Sequence, residues 1–260
     1  KHVSMEDVPL SRRPGIGETM EMNLKVIGCS PAWPNPGGAQ SGYLVEGPPG
    51  RVLLDCGAGV LAKLRELEDW PRIDAICLTH LDHWGDVVPW VWALWFGPAA
   101  EQPRPDLWVP PGGEELLSWI GQRLGTPDMF HQAFTIKEYC EGEDFETGGF
   151  TITPRRVLHY DLRAYGFRVS CNGKTMAYSG DSGPSDELAE LARDADLFLC
   201  EATLLEPNPE GGTRGHLAAD EAKAAFDAAG AKRLLLTHRP KERPLDPEFE
   251  QVHDGFETEV

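Results

Sequence analysis

Long apolar runs are missing from this 260-residue chain. A helix that crosses a bilayer needs about 20 consecutive apolar residues. The most apolar segment, Val87 to Phe96, is too short and is interrupted by Pro89, so no membrane role is expected. Cysteine is sparse and scattered: Cys29, Cys56, Cys77, Cys140, Cys171 and Cys200 form no Cys-x-x-Cys pair. Several lie in strand-like runs, where a free thiol behaves as a small apolar side chain. A disulfide framework is not expected at this length, and a reducing, cytoplasmic location fits. Basic residues are also few, 24 Lys and Arg against 42 Asp and Glu, for a formal net charge of -18. So acidic a surface repels phosphate backbones and makes polymeric nucleic acid a poor partner. The first twenty residues hold no apolar segment of a secretory signal, and no internal repeat, low-complexity tract or linker is visible.

With 41% hydrophobic residues the chain can bury a sizeable core. Lys1 to Glu21 is polar and reads as an arm or an added remnant outside the fold, with Met22 a natural start. Residues 22–260 read as a single domain. Strands are predicted over Asn23 to Gly28, Tyr43 to Glu46, Arg51 to Asp55, Ile73 to Thr79, Leu107 to Val109, Phe150 to Leu158, Tyr165 to Cys171, Lys174 to Ser179, Leu197 to Cys200 and Arg233 to Thr237. Asn172-Gly173 between two of them is a two-residue hairpin signal. Helical spacing covers Gly59 to Leu67, Val87 to Trp95, Glu114 to Leu124, a segment capped by Ser185, and Leu217 to Ala229, closed by Gly230. The acidic stretch Cys140 to Gly149 reads as exposed. Two β-rich parts with alternating helices suggest two sheets between helices.

The most informative run is Thr79-His80-Leu81-Asp82-His83-Trp84-Gly85-Asp86. Two imidazoles and two carboxylates cluster where a strand gives way to a helix, which is how a rigid scaffold presents metal ligands. Other strands also end in metal-capable residues: His159, Asp181, Glu201 and His238. Singly, each has a plainer reading. A histidine at a strand end is usually only hydrogen-bonded, Asp181 in Ser-Gly-Asp-Ser-Gly could be a turn residue, and Glu201 a solvated strand end. Residues at strand ends and in the following loops can converge on one edge of a sheet sandwich, and it is their joint occurrence with the dense His/Asp run that points to a site.

In these segments, with Val26-Ile27-Gly28-Cys29-Ser30, Leu53-Leu54-Asp55-Cys56-Gly57, Tyr178-Ser179-Gly180-Asp181-Ser182, Gly215-His216-Leu217 and Leu236-Thr237-His238, the chain resembles the metallo-β-lactamase fold superfamily, in its RNase Z-like and cyclic-nucleotide phosphodiesterase-like branch. The resemblance runs from Asn23 to about His238. It implies an α/β fold, an αββα sandwich of two mixed β-sheets flanked by helices, and two Zn2+ ions per chain, with Mn2+ or Fe as alternatives for a mixed His/carboxylate set. Asp82, His83 and His238 would hold one ion, His80 and His159 the other, and Asp181 would bridge them. Two such ions, about 3.5–4 Å apart, share a hydroxide able to attack phosphorus or a carbonyl. His216 would serve as general acid or phosphate ligand, its plainer alternative being a surface histidine near a helix start. Asp55, Asp86 and Glu201 would orient the ligands. A homodimer is also implied.

The family motif is His-x-His-x-Asp-His, and His80-Leu81-Asp82-His83 is one histidine and one spacer shorter. The shorter run reads as a natural alteration, a deletion, or two residues missing from the sequence as written. The gap belongs between Leu81 and Asp82. Were Asp82 to replace the histidine, Trp84 and Gly85 would fall where the Asp-His pair belongs, and neither ligates. One metal then keeps Asp82, His83, Asp181 and His238, while the other keeps only His80, His159 and the shared Asp181.

The expected function is a zinc-dependent hydrolase, with Asp82 and His216 as its catalytic side chains, cleaving a phosphodiester in a small, cyclic nucleotide. A tRNA 3′-processing endonuclease is the alternative, opposed by the acidic charge and by the lack of a basic, Gly-rich arm. Lactone or β-lactam hydrolysis is another, because one fold hosts many chemistries. In a different class stands a metal-impaired relative that only binds a ligand. Trp84, Trp90, Trp92 and Trp95 are read mostly as core. The Pro31 to Pro36 loop, with Trp33, could rim the pocket.

Overall fold

The structure, a computed structural model, describes residues 21–260 except 49, 68, 69, 71, 98 and 208–211. The arm read over residues 1–21 therefore lies, but for Glu21, outside the described residues. Strands β1 (Asn23–Gly28), β2 (Gly42–Gly47) and β3 (Gly50–Leu54) form an antiparallel meander. After helix α1 (Val60–Leu64), the parallel strands β4 (Ala75–Cys77), β5 (Asp106–Val109) and β6 (Thr135–Glu138) extend it. Helices α2 (Val87–Phe96), α3 (Gly113–Arg123) and α4 (Met129–Ala133) connect them. Pro89 falls in the first turn of α2, where no intrahelical N–H bond is lost.

The second sheet begins with the antiparallel strands β7 (Phe145–Thr147), β8 (Phe150–His159), β9 (Leu162–Cys171) and β10 (Lys174–Tyr178). Asn172 and Gly173 turn β9 into β10 with φ of 50° and 77°, the backbone of a type I′ turn. Helix α5 (Asp186–Ala192) leads to β11 (Leu197–Glu201), and α6 (Ala219–Ala229), closed by left-handed Gly230, leads to β12 (Leu234–Thr237). Strands β10, β11 and β12 run parallel. The final strand β13 (Glu257–Glu259) crosses back to pair with β1, completing a seven-stranded sheet beside a six-stranded one.

Apolar contacts divide into three layers. Tyr43, Phe150, Phe167, Tyr178 and Leu199 fill the space between the sheets. Leu53, Ile76, Trp90 and Phe130 pack under α1 to α4, and Phe198, Leu188 and Ala222 under α5 and α6. This is an αββα sandwich. Among the described residues no helix is long and apolar enough to cross a membrane.

The expected exposure of Cys140 to Gly149 is corrected in part. Phe145 of β7 is buried, its ring stacked 4.0 Å from that of Trp108, an attraction that local acidity does not reveal. The tryptophan reading holds for three of the four: Trp90 is wholly buried, and Trp84 and Trp95 are half-buried against the same core. Trp92 is exposed, because α2 is apolar all round and only one side faces the sheet.

Candidate metal centre

Parallel strands deliver their following residues to one edge of a sheet. Beyond the ends of β3, β4, β10, β11 and β12 lie Asp55, His80, Asp181, Thr203 and His238. Two of them leave their strands in left-handed conformation, Asp55 with φ 61° and His238 with φ 57°. Such backbone persists only where its surroundings impose it.

Asp181 is the hub. Its Oδ2 lies 3.5 Å from Nε2 of His83, 3.5 Å from Nε2 of His238 and 3.9 Å from Nε2 of His80. The rings of His80 and His83 are 4.3 Å apart, and those of His80 and His159 5.0 Å. Asp181, His80, His83, His159 and His238 are all buried.

Hydrogen bonds on the far side of each ring determine which nitrogen faces the hub. Thr79 Oγ1 donates to Asp55, at 2.9 Å from Oδ2, so it accepts from Nδ1 of His80 at 3.0 Å. Thr203 Oγ1 donates to Glu201 Oε2 at 2.9 Å and accepts from Nδ1 of His238 at 2.7 Å. Nδ1 of His83 donates to Asp55 Oδ2 at 2.9 Å, and Nδ1 of His159 to the Gly215 carbonyl at 2.8 Å. All four imidazoles thus turn Nε2 inward, and in His80 and His238 that nitrogen has no hydrogen-bond partner. Holding the rear nitrogen in this way orients an imidazole for a metal.

The donors fit a metal ion. Nε2 of His80, Nε2 of His238 and Oδ1 of Asp181 are buried with no hydrogen-bond partner. Leaving a polar atom buried and unpaired costs about 1–3 kcal/mol, and three share one small space. Donor atoms of His80, His83 and Asp181 come within 4.8 Å of one another, as do those of His159, Asp181 and His216. Imidazole with carboxylate is a zinc-type donor set.

The charge states agree with this arrangement. Burial, then the neighbouring imidazoles, holds His80 and His238 well below the usual histidine range. Both are neutral at pH 7 and ready to ligate. Burial also opposes protonation of His83, but Asp181 and Asp55 outweigh it and raise its pKa to about 9. Burial raises the Asp181 carboxyl as well, against the pull of His83.

Asp82 is not where the family pattern places it. Expected with His83 and His238, its exposed carboxylate instead lies within 4.8 Å of donor atoms of His80 and His159, and among the described residues no such group joins it to His83 or His238. Only two residues separate His80 from His83. The single 3-10 turn Leu81–His83 that spans them brings the two imidazoles together and carries Asp82 outward. Asp86 also differs from expectation. Among the described residues it makes no hydrogen bond or ion pair to a ligand imidazole; its Oδ2 accepts the Leu61 N–H at 2.7 Å and anchors α1.

Asp55 and Glu201 are wholly buried. Asp55 also accepts from the Thr79 N–H at 2.8 Å and the Tyr178 hydroxyl at 2.7 Å. Oε1 of Glu201 accepts from Nδ1 of His216 at 2.8 Å and from the Ser182 N–H at 3.1 Å. Burial resists protonation of His216, but the Glu201 bond and charge prevail and raise its pKa. Thr79, Thr203, Tyr178 and Gly215 were not among the candidates, although each grips one. Thr79 beside His80 and Thr203 two residues after Glu201 were the available signals. The expected pocket-rim loop Pro31 to Pro36 contributes buried Asn35, whose side chain donates to the Arg239 carbonyl at 2.9 Å. Arg239 in turn donates to the carbonyls of Ala202, Leu204 and Arg243, stapling the segments around His238.

A family profile described as a beta-lactamase superfamily domain matches residues 50–239. The chain belongs to the metallo-β-lactamase superfamily. An uncharacterized protein of Mycobacterium leprae is 36% identical over 245 residues, 87% of this chain and 81% of its own. The probable metallo-hydrolase YhfI of Bacillus subtilis is 30% identical over 227 residues, 84% of this chain and 87% of its own. The crystal structure of YhfI superposes with a TM-score of 0.79 at 26% identity, covering 92% of this chain and all 100% of that one. The short form of human tRNase Z reaches 0.71 at 20% identity over 91% of this chain and 98% of its own, which shows the shared fold. A metallo-β-lactamase fold with RNase Z-like relatives thus carries the His/Asp cluster.

Proposed function

We propose that this superfamily member is a zinc-dependent hydrolase that cleaves a phosphodiester bond in a small nucleotide, a cyclic nucleotide being the first substrate to try. The carrying observation is the convergence of unpaired Nε2 atoms of His80 and His238 with the Asp181 carboxylate, beside a His216 held by Glu201. His80, His83, His159, His238 and Asp181 would hold the metal. When bound, it would supply Lewis acidity at the phosphoryl oxygens and an activated water. Glu201 holds His216 through Nδ1, leaving Nε2 to bind a phosphoryl oxygen or pass a proton to the leaving oxygen. The name of tRNase Z makes it a tRNA nuclease, and this supports chemistry at phosphorus. The net charge of -18 favours a small substrate over a polymer.

The outward Asp82 supports a second element of this reading. His83 and His238 lack the carboxylate that the family pattern gives them, so the two metal positions are unequal in affinity. The deciding experiment is hydrolysis of bis(p-nitrophenyl) phosphate and of cyclic AMP, before and after chelation and zinc reloading. Chelator-sensitive turnover supports the proposal. No turnover by zinc-loaded protein sinks it and favours a ligand-binding relative.

A further inference from the structure

A pocket of about 430 Å3 opens directly beside His216, within the range of roughly 300–1,000 Å3 that small-molecule sites occupy. One wall is Tyr160, whose ring lies 5.1 Å from that of His159 and 5.9 Å from that of His216. Leu204 and Leu205 form an apolar side. Arg214 and Arg243 supply positive charge, with Glu206 as the pocket's carboxylate. Arg214 pairs through Nη2 with Glu221, but its Nη1 is buried with no hydrogen-bond partner. The guanidinium of Arg243 has no ion-pair or hydrogen-bond partner among the described residues. In a chain of net charge -18, two arginines with unused donors beside a candidate proton donor point to an anionic occupant.

The position of Tyr160 is imposed. Its φ is 48°, a left-handed conformation that a tyrosine rarely adopts. Its ring lies against Gly215, where a Cβ would come within 2.2 Å of it. The same Gly215 carbonyl holds His159. A half-exposed aromatic face is thereby set at the mouth of the metal centre, where a planar base can stack.

We infer that this pocket is the leaving-group subsite, and that it takes a nucleoside carrying a second phosphate that is not cleaved. Tyr160 and the two leucines would receive the base, and Arg214 and Arg243 the extra phosphate. The inference rests on the reading of the centre as a phosphodiesterase and narrows its substrate: a nucleotide with one phosphate at the metals leaves the arginines unused.

Two readouts test this separately from the chemistry. The first is titration of AMP and of adenosine into chelator-treated full-length protein held in inorganic phosphate. AMP is expected to bind at least roughly tenfold more tightly than adenosine. Arg243→Gln, at an exposed position that leaves folding intact, should remove most of that preference, and Tyr160→Leu should weaken both ligands. The second compares zinc-loaded turnover of the dinucleotide ApA with pApA and ApAp. One phosphorylated form should exceed ApA in kcat/KM by roughly tenfold, an advantage reduced in Arg243→Gln. Equal binding of AMP and adenosine, or a preference retained in both Arg243→Gln and Arg214→Gln, overturns the subsite. If no dinucleotide is cleaved but the Arg243-dependent preference stands, the subsite survives and the phosphodiesterase reading fails.

Discussion

Asp55→Asn isolates what orients the metal ligands. Oδ2 of Asp55 accepts from Nδ1 of His83 at 2.9 Å, from the Tyr178 hydroxyl at 2.7 Å and from Thr79 Oγ1 at 2.9 Å, while Oδ1 accepts from the Thr79 N–H at 2.8 Å. The amide is isosteric, and asparagine tolerates the φ of 61° as well as aspartate does, so the backbone contributes nothing. The new NH2 must face donors whichever way it turns. The better orientation loses the Thr79 N–H bond outright and strips the charge from the other acceptor's bonds, where a bond to a charged group is worth about 1.5–3 kcal/mol; this is offset in part because a neutral amide is cheaper to bury than a carboxylate. A net loss of ~3 kcal/mol follows, a fall of about 10 °C in melting temperature for a domain of this size. His83 also exchanges the carboxylate that fixes its ring for a weaker, neutral acceptor, so zinc affinity should drop by roughly 10–100-fold. Denaturant unfolding of the metal-free protein gives the first quantity, and zinc titration against a competing chelator the second. A stability change below about 1 kcal/mol with unchanged zinc affinity would refute the role assigned to Asp55.

Inserting a histidine and a spacer between Leu81 and Asp82 should return Asp82 to the His83 side and raise zinc content from about one to about two per chain, read by elemental analysis of dialysed protein; unchanged content contradicts the geometric account of the short motif. Glu201→Gln should lower kcat roughly 100-fold and move the basic limb of the pH profile downward, since Glu201 is what raises the pKa of His216; a kcat loss with an unmoved limb would remove His216 from proton transfer. The pKa of His83, raised to about 9, sets a pH dependence. Its protonated pairing stabilises the metal-free protein fully below about pH 6.5, and that contribution is lost as pH rises through about 9. Zinc must displace this proton, so apparent affinity should climb roughly tenfold per pH unit between pH 7 and 8.5, and a flat affinity there excludes a protonated His83.

Much of the architecture was legible because its causes are local. Alternating apolar residues read out β8 and β9, the Asn172-Gly173 pair their neighbouring hairpin, and Gly230 the end of α6. The short strands β6, β7 and β13 and helix α4 were missed. At three to five residues each is too brief for periodicity to show, and each is held by pairing or packing with distant chain.

The same division runs through the site. Sequence alone determined which residues end the strands, and hence that His80, His159, Asp181 and His238 share one edge with Glu201 close by. It also determined that His80 and His83 are only three positions apart, the shortening that turns Asp82 toward His80 and His159 instead of His83. Tertiary structure decided which nitrogen each imidazole turns inward, because the controlling partners are remote: Asp55 lies 28 residues from His83, Thr203 35 from His238 and Gly215 56 from His159. It also decided that Asp86 anchors a helix while Asp55 grips a ligand, and that Tyr160, Arg214 and Arg243 meet beside His216. Turn and strand propensities depend on neighbours along the chain, whereas hydrogen-bond direction and burial depend on neighbours in space.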